Sequence, residues 1–328
     1  MLQQARSRWT AVAWSELPGF EQDTLYEAWG AWLKSCERPT PVFSALCKEV
    51  RQLSLADDRA QRRWMMSRLQ PYRVSAHDGN ADGLLTAYYE PVLDASRVRQ
   101  GNYTVPLYQL PQGFAQRKPW FTRQEIDTLP AAQAALRGRE IAYLSDPIDV
   151  LALHIQGAGR LRISEPGGGQ KIIRVAFAGT NDHPYQSVGR WLLDQGLVRD
   201  ASWPGIKAWL AQNPQRTQEL LWRNPRYVFF KEEALPAIVE GPRGAQGVPL
   251  TAGRSIAVDP QSIPYGTPVW LTSSGAQTRL QKLVLAQDTG SAIVGAVRAD
   301  YFVGSGLEAG ELAGRMKQPL QLWALWPR

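Results

Sequence analysis

Three aspartates stand at the ends of apolar stretches late in the chain: Asp259 in SIAVDP, Asp288 in LAQDTG and Asp300 in VRADYF. A carboxylate in such a place is either a solvated turn former or part of a catalytic site. Asp259 precedes a proline and Asp288 precedes Thr289-Gly290, so both suit turns that accept backbone N–H groups. Asp300 differs, because Tyr301-Phe302-Val303 follows it. A carboxyl held among aromatics is desolvated, its proton affinity rises, and it can act as a general acid near neutrality. Two other segments place polar groups beside rings or glycines. In LTAYYEP, Tyr88 and Tyr89 point to opposite faces of a strand, one toward a core and one toward a groove. In LHIQGAGRL, Gln156 precedes Gly157-Ala158-Gly159, where a backbone can come close to a ligand. The Gln156 amide suits sugar hydroxyls and N-acetyl groups.

Other chemistries lack their residues. The three histidines, His77, His154 and His183, are far apart, and there is no HExxH, paired CxxC or EF-hand loop. No metal and no cofactor is therefore expected. No GxSxG elbow supports a Ser-His-Asp triad. Gly167-Gly168-Gly169 leads into the strand KIIRVAF, which reads as a hairpin turn rather than a phosphate cradle. The net charge of +7 favours anionic partners, but the Lys and Arg residues form no block. Arg59, Arg62, Arg63 and Arg68 fall at helical spacing and read as the wet face of a helix, so no nucleic-acid partner is expected.

The elements that must position these groups fill 328 residues, enough for one large or two medium domains. The first seventy or so residues read as helical. One stripe contains Leu25, Trp29, Trp32 and Leu33, and Thr40-Pro41 opens a helix with Leu46, Val50 and Leu53 on one face. A third helix carries Trp64 and Met65. The texture turns to strand at GLLTAYYEPVL (83–93) and YTVPLYQL (103–110). Short strands such as KIIRVAFAG and RYVFFK then frame helices, one with Val188, Leu192 and Leu193, another opening at Ser202-Trp203-Pro204. After residue 245 helical periodicity almost disappears, and PLTAGRSIAVDP, IPYGTPVWL, RLQKLVLAQD and QPLQLWALW read as strands of a small barrel or sandwich. Cys36 and Cys47 suit either a disulfide or two buried thiols. No apolar run approaches the roughly 20 residues of a membrane span. The start, MLQQARSRWTAVAW, has no apolar signal core, which suits a cytosolic protein or a processed chain.

Taken in order, LTAYYEP, LHIQGAGRL, NPRYVFF, PLTAGRSIAVDPQSIPYGTPVWL and QDTGSAIVGAVRADYFVGSGLEAGELAG resemble the membrane-bound lytic transglycosylase A family of Gram-negative bacteria. The resemblance implies a mainly β fold with an α-helical N-terminal part. A double-psi β-barrel would be built from residues 1–102 and 230–328, with a 3D segment over about 246–328. A smaller β-rich domain, 103–229, would be inserted into it, with the glycan in the groove between them. The implied activity is cleavage of the β-1,4 bond between N-acetylmuramic acid and N-acetylglucosamine in peptidoglycan, leaving a 1,6-anhydromuramoyl end. Asp300 matches the family's catalytic aspartate and Asp288 an assisting one, with Tyr88, Tyr89, Gln156, Gly157, Gly159 and Asp259 expected at the substrate. The family's tyrosine motif often ends in Thr-Pro, whereas this chain has Glu90-Pro91. The partners implied are glycan strands and cell-wall synthesis or division proteins. The implied state is a monomer in the periplasm, joined to the outer membrane through a lipid anchor not contained in this sequence. The rivals are an inverting hydrolase that pairs Asp288 and Asp300 around a water, and a non-catalytic wall-binding barrel.

Overall fold

The structure, a computed structural model, describes residues 1–235, 240–275 and 278–328. Its strands begin with β1 (Leu2–Gln3), β2 (Arg8–Ala11), β3 (Leu69–Ser75), β4 (Gly83–Glu90), β5 (Val92–Ser96), β6 (Val105–Tyr108), β7 (Glu140–Leu144) and β8 (Ala158–Ser164). They continue with β9 (Gln170–Thr180), β10 (Val228–Ala234), β11 (Ser255–Val258), β12 (Pro268–Ser274), β13 (Arg279–Asp288), β14 (Arg298–Ser305) and β15 (Lys317–Pro327). The chain divides into two compact units. The first comprises Met1–Tyr89, Glu240–Gly304 and Glu308–Arg328; the second comprises Glu90–Val239 and Ser305–Leu307.

In the first unit β15, β12, β13, β11, β14 and β4 pair in that order, and β4 pairs again with β15, so six strands close on themselves. The β1–β3 strands extend this sheet from β15. Alternation along each strand explains how the ring acquires two apolar layers. On β12 and β13, Val269, Leu271, Val284 and Ala286 join one core, with Ile256, Val258, Ala299 and Tyr301. The intervening Trp270, Leu283 and Leu285 join a second, with Trp29, Trp32 and Leu25 of the helix Leu25–Ser35. A strand buried on both faces reads as a continuous apolar run, which is the pattern of KLVLA.

The second unit holds a six-stranded sheet in the order β10-β9-β8-β5-β7-β6. The glycine triplet turns β8 into β9 as a hairpin, with Gly167 and Gly168 both at positive φ. The helix Pro147–Gln156 supplies Val150 and Leu153 to the core of this sheet.

Three features depart from the sequence reading. The N-terminal region contains β2 and β3 as well as helices, because Trp9 and Val74 enter the same core as the ring strands. Four residues of β2 are too few to display an alternation. The expected single helix after Thr40 is two pieces, Pro41–Ser44 and Cys47–Gln52. Phe43 of the first packs edge-on against Trp326, whereas Val50 of the second receives the Trp29 indole N–H at its carbonyl. A helix, Leu307–Arg315, also occurs in the region where helical periodicity almost disappears and no helix is expected. It buries only Ala309 and leaves Leu307 80% exposed, and its apolar positions Ala309, Leu312 and Ala313 span little more than one turn amid glycines, too short a stripe to stand out. The first break between units falls after Tyr89, and β5 belongs to the second unit through its pairing with β8 and β7.

Cys36 and Cys47 form a disulfide beneath the N-terminal helices, with 5.4 Å between their α-carbons. It closes a short loop. Reduction should lower unfolding stability by about 2–3 kcal/mol on chain-entropy grounds, measurable by urea titration with and without reductant. An unchanged midpoint would contradict this.

Candidate active site

The site grows from an irregularity beside β11. Ile256 opposes Ala286 in the parallel β11–β13 pair, but the next residue, Ala257, opposes Asp288, so Gln287 is skipped. On the other side of β11, Ala257 opposes Asp300 of antiparallel β14. A bulge adds one residue and so reverses which face the following side chains take. Asp288 is thereby turned to the face that Asp300 occupies, two strands away, at about 10 Å between α-carbons. Gln287 is left pointing into the N-terminal helices, where its amide donates to Ala31 O and Ser35 Oγ.

Asp300 lies between buried Ala299 and buried Tyr301 and is itself half-buried. Its Oδ1 accepts the Thr86 hydroxyl of β4 at 2.5 Å. Burial raises the proton affinity of Asp300 above that of an ordinary carboxyl, while the Thr86 bond and the Arg298 charge act against this without reversing it. The group is thus disposed to keep a proton at a higher pH than a surface aspartate.

Asp288 is held differently. Its Oδ1 accepts the backbone N–H groups of Ala245 and Thr289, each at 2.9 Å, and its Oδ2 accepts the Tyr88 hydroxyl at 2.9 Å. Burial also raises its proton affinity, and the Asp300 charge adds to this, while the three donors oppose it. The Tyr88 hydroxyl, buried between the two carboxylates, is held protonated well past its usual range. Its ring packs 5.3 Å from that of Phe302. Tyr88 therefore supports Asp288. Tyr89 sits against the helix Leu307–Arg315, where a Cβ at Gly310 would lie 2.9 Å from its ring.

Asp259 does not join this pair. It is buried, its Oδ1 accepts from Gln261 N, and its Oδ2 accepts from Gly295 N and from the Arg6 guanidinium at 3.2 Å. In this structure it ties a turn, an N-terminal arginine and the loop before β14 together. Both of its oxygens are engaged within the fold.

In the second unit, Gln156 ends the helix Pro147–Gln156 and Gly157 caps it at φ 77°. Gly157 faces open space, as a left-handed cap requires of glycine. Gly159 is different: a Cβ there would lie 2.3 Å from Leu153 Cδ2 and 3.3 Å from Pro91 O. Its smallness lets the helix lie on β8, so chain packing accounts for this glycine. Glu90 is fully buried and is held by Arg174 Nε at 2.6 Å, Arg160 Nη2 at 2.8 Å and Ser305 Oγ at 2.7 Å.

Comparison with known proteins follows the same division. A domain described as the MltA specific insert domain matches residues 84–231, and one described as the 3D domain matches residues 254–326. Membrane-bound lytic murein transglycosylase A of Escherichia coli strain K12 is 32% identical over 269 residues, covering 78% of this chain and 69% of that protein. The chain belongs to the membrane-bound lytic murein transglycosylase A family. Among solved structures, the lytic transglycosylase LtgG of Burkholderia pseudomallei is 43% identical, with a TM-score of 0.67 and coverage of 99% of this chain and 97% of that one. MltA of Neisseria gonorrhoeae is 30% identical with a TM-score of 0.83, covering 100% of this chain and 94% of that one.

Within this member of the transglycosylase A family, three site residues escaped the sequence reading: Thr86, Ala245 and Arg298. Thr86 lies two residues before Tyr88 and shares its strand face, a period-2 relation that could have disclosed it. Ala245 acts through its backbone N–H and carries no side-chain signal. Among the described residues no group of three or more His, Cys, Asp or Glu could hold a metal ion.

Proposed function

We propose that the chain is a peptidoglycan lytic transglycosylase in which Asp300 alone performs both proton transfers. Protonated Asp300 donates to the glycosidic oxygen between N-acetylmuramic acid and N-acetylglucosamine, and the bond from that oxygen to C1 breaks through an oxocarbenium-like transition state. The resulting carboxylate then takes the proton from the muramoyl 6-hydroxyl as O6 bonds to C1. Asp300 regains its proton, the product ends in a 1,6-anhydro ring, and no water is consumed. A tethered nucleophile reaches effective molarities of about 10⁵–10⁸ M, which lets O6 outcompete water.

The observation that carries this reading is the unequal holding of the two carboxyls. Asp300 has one side-chain donor on one oxygen, whereas Asp288 has three donors spread over both. With donors on both of its oxygens Asp288 presents less of its carboxylate to an attacking water, which disfavours an inverting hydrolase that would use Asp288 in that role. Asp288 instead anchors Tyr88. The double-psi connectivity of the barrel, substrate contacts from Gln156, Gly157 and Tyr89, and a periplasmic, lipid-anchored location belong to the same proposal. The Cys36–Cys47 disulfide supports an oxidising compartment. No described helix is long and apolar enough to cross a membrane.

Two outcomes test the roles. Asp288→Asn is expected to lose on the order of tenfold in sacculus-clearing rate, because the amide oxygen can still accept from the two backbone N–H groups. A variant more impaired than Asp300→Asn would reverse the assignment. For the wild type, kcat/KM should decline as pH rises through the elevated titration of Asp300, since the first step needs the protonated acid. A rate that keeps rising into the alkaline range would oppose a single-acid mechanism.

A further inference from the structure

We propose that Arg298 is a positioning residue for this reaction: its guanidinium turns the Thr86 hydroxyl toward Asp300 Oδ1 and so leaves the transferable proton on Oδ2. The inference rests on the reading of Asp300 as the acid. Arg298 Nη2 lies 2.8 Å from Thr86 Oγ1, which in turn lies 2.5 Å from Asp300 Oδ1. A guanidinium can only donate, so Thr86 Oγ1 must accept there. The hydroxyl has one proton, and that proton is therefore directed to Asp300 Oδ1. An oxygen that accepts at this geometry is not the protonated one, which assigns the acid proton to Oδ2. Among the described residues no hydrogen bond to Oδ2 from another group is formed, so this oxygen is the one left to meet a glycosidic oxygen.

The guanidinium is itself fixed. Arg298 Nη1 donates to the carbonyls of Leu84 and Ala299, so the fork is pinned at both ends of the gap between β4 and β14. The charged and titratable groups that face Asp300 are Arg298 on its own strand, Tyr88 on β4 and Asp288 on β13. Lys317 of β15 stands opposite Thr86 in the β4–β15 register. Of these, Arg298 is the cation tied to the carboxyl through a shared hydroxyl. As the proton leaves Oδ2, negative charge develops on the carboxylate and the bond from Thr86 to Oδ1 strengthens. The relay consequently acts more on the transition state than on bound substrate.

The test is a double-mutant cycle read by steady-state kinetics and pH profiles on the full chain, with thermal unfolding of each variant checked. Thr86→Val should lose on the order of 10–100-fold in kcat with KM nearly unchanged, and Thr86→Ser should restore most of the loss. Arg298→Gln should lose about 3–10-fold in the wild-type background. In the Thr86→Val background it should lose nothing further. Both Arg298→Gln and Thr86→Val should move the alkaline limb of kcat/KM to higher pH, because each removes a group that favours the ionised carboxylate. Independent, multiplying losses, an unmoved limb, or a Thr86→Ser enzyme as poor as Thr86→Val would overturn the relay. The two Thr86 variants decide the matter even if Arg298→Gln does not fold. An inactive Asp300→Asn enzyme combined with a multiplying cycle refutes the relay alone. An active one refutes the acid assignment itself.

Discussion

Replacement of Asp300 by asparagine is expected to leave a folded protein that still binds glycan but turns over about 10²–10⁴-fold more slowly. The side chain keeps its size, and the amide oxygen can still accept the Thr86 hydroxyl that Oδ1 accepts in the native site. What disappears is the capacity to give and regain a proton at the second oxygen. The loss should fall on kcat, because a group that acts by proton transfer contributes to the transition state rather than to substrate binding. The alkaline limb attributed to this group should vanish from the residual activity. Near-normal turnover by this variant would refute the assignment, and a wholesale fall in affinity with kcat preserved would make Asp300 a binding group.

The largest effect on stability is expected at Glu90, in the second unit. Its carboxylate is fully buried and meets Arg174, Arg160 and Ser305. Replacement by alanine removes a carboxylate that meets both guanidiniums, one of them on a residue only 4% exposed. Taking away one partner of a buried ion pair typically costs about 3–5 kcal/mol, because the remaining charge loses an opposite charge and stays out of water. Calorimetry should show the Glu90→Ala transition displaced by about that much. Glu90→Leu combined with Arg174→Met, which removes opposite charges together, should recover part of the loss. A Glu90→Ala protein within about 1 kcal/mol of the wild type would show that the cluster contributes little. The sequence departure at Glu90-Pro91 thus finds a structural explanation: this residue secures the start of the second unit, with its backbone carbonyl also accepting Gly306 N–H.

The legible parts of this molecule are those in which a short run of residues contains its own reason. The apolar runs of β12, β13 and β15 show as strands because both their faces are covered. Ser202 before Trp203-Pro204 announces a helix start, and its hydroxyl does accept Gly205 N–H. Asp300 stands out because a charged group between apolar neighbours is costly without a task or a partner. The illegible parts depend on distant residues. Nothing near Asp288 discloses that Gln287 is skipped against β11, and it is that skip which turns Asp288 to the face of Asp300. Thr86 and Arg298 are ordinary strand residues until β4 comes beside β14. Asp259 reads like its two companions and is distinguished only by Arg6 and Gly295, which arrive from elsewhere in the chain. The helix Leu307–Arg315 is hidden because it is short, contains two glycines and buries only Ala309, with Gly310 lying against Tyr89.

The most direct measurement is mass spectrometry of muropeptides released from purified sacculi by this enzyme in water enriched in heavy oxygen. Attack by the muramoyl 6-hydroxyl on C1 incorporates no solvent oxygen, so the new ends should be 1,6-anhydro sugars of unaltered isotopic mass. Reducing ends carrying the heavy label would mean that water is the nucleophile, and a single-acid transglycosylase centred on Asp300 would then be the wrong description of this site.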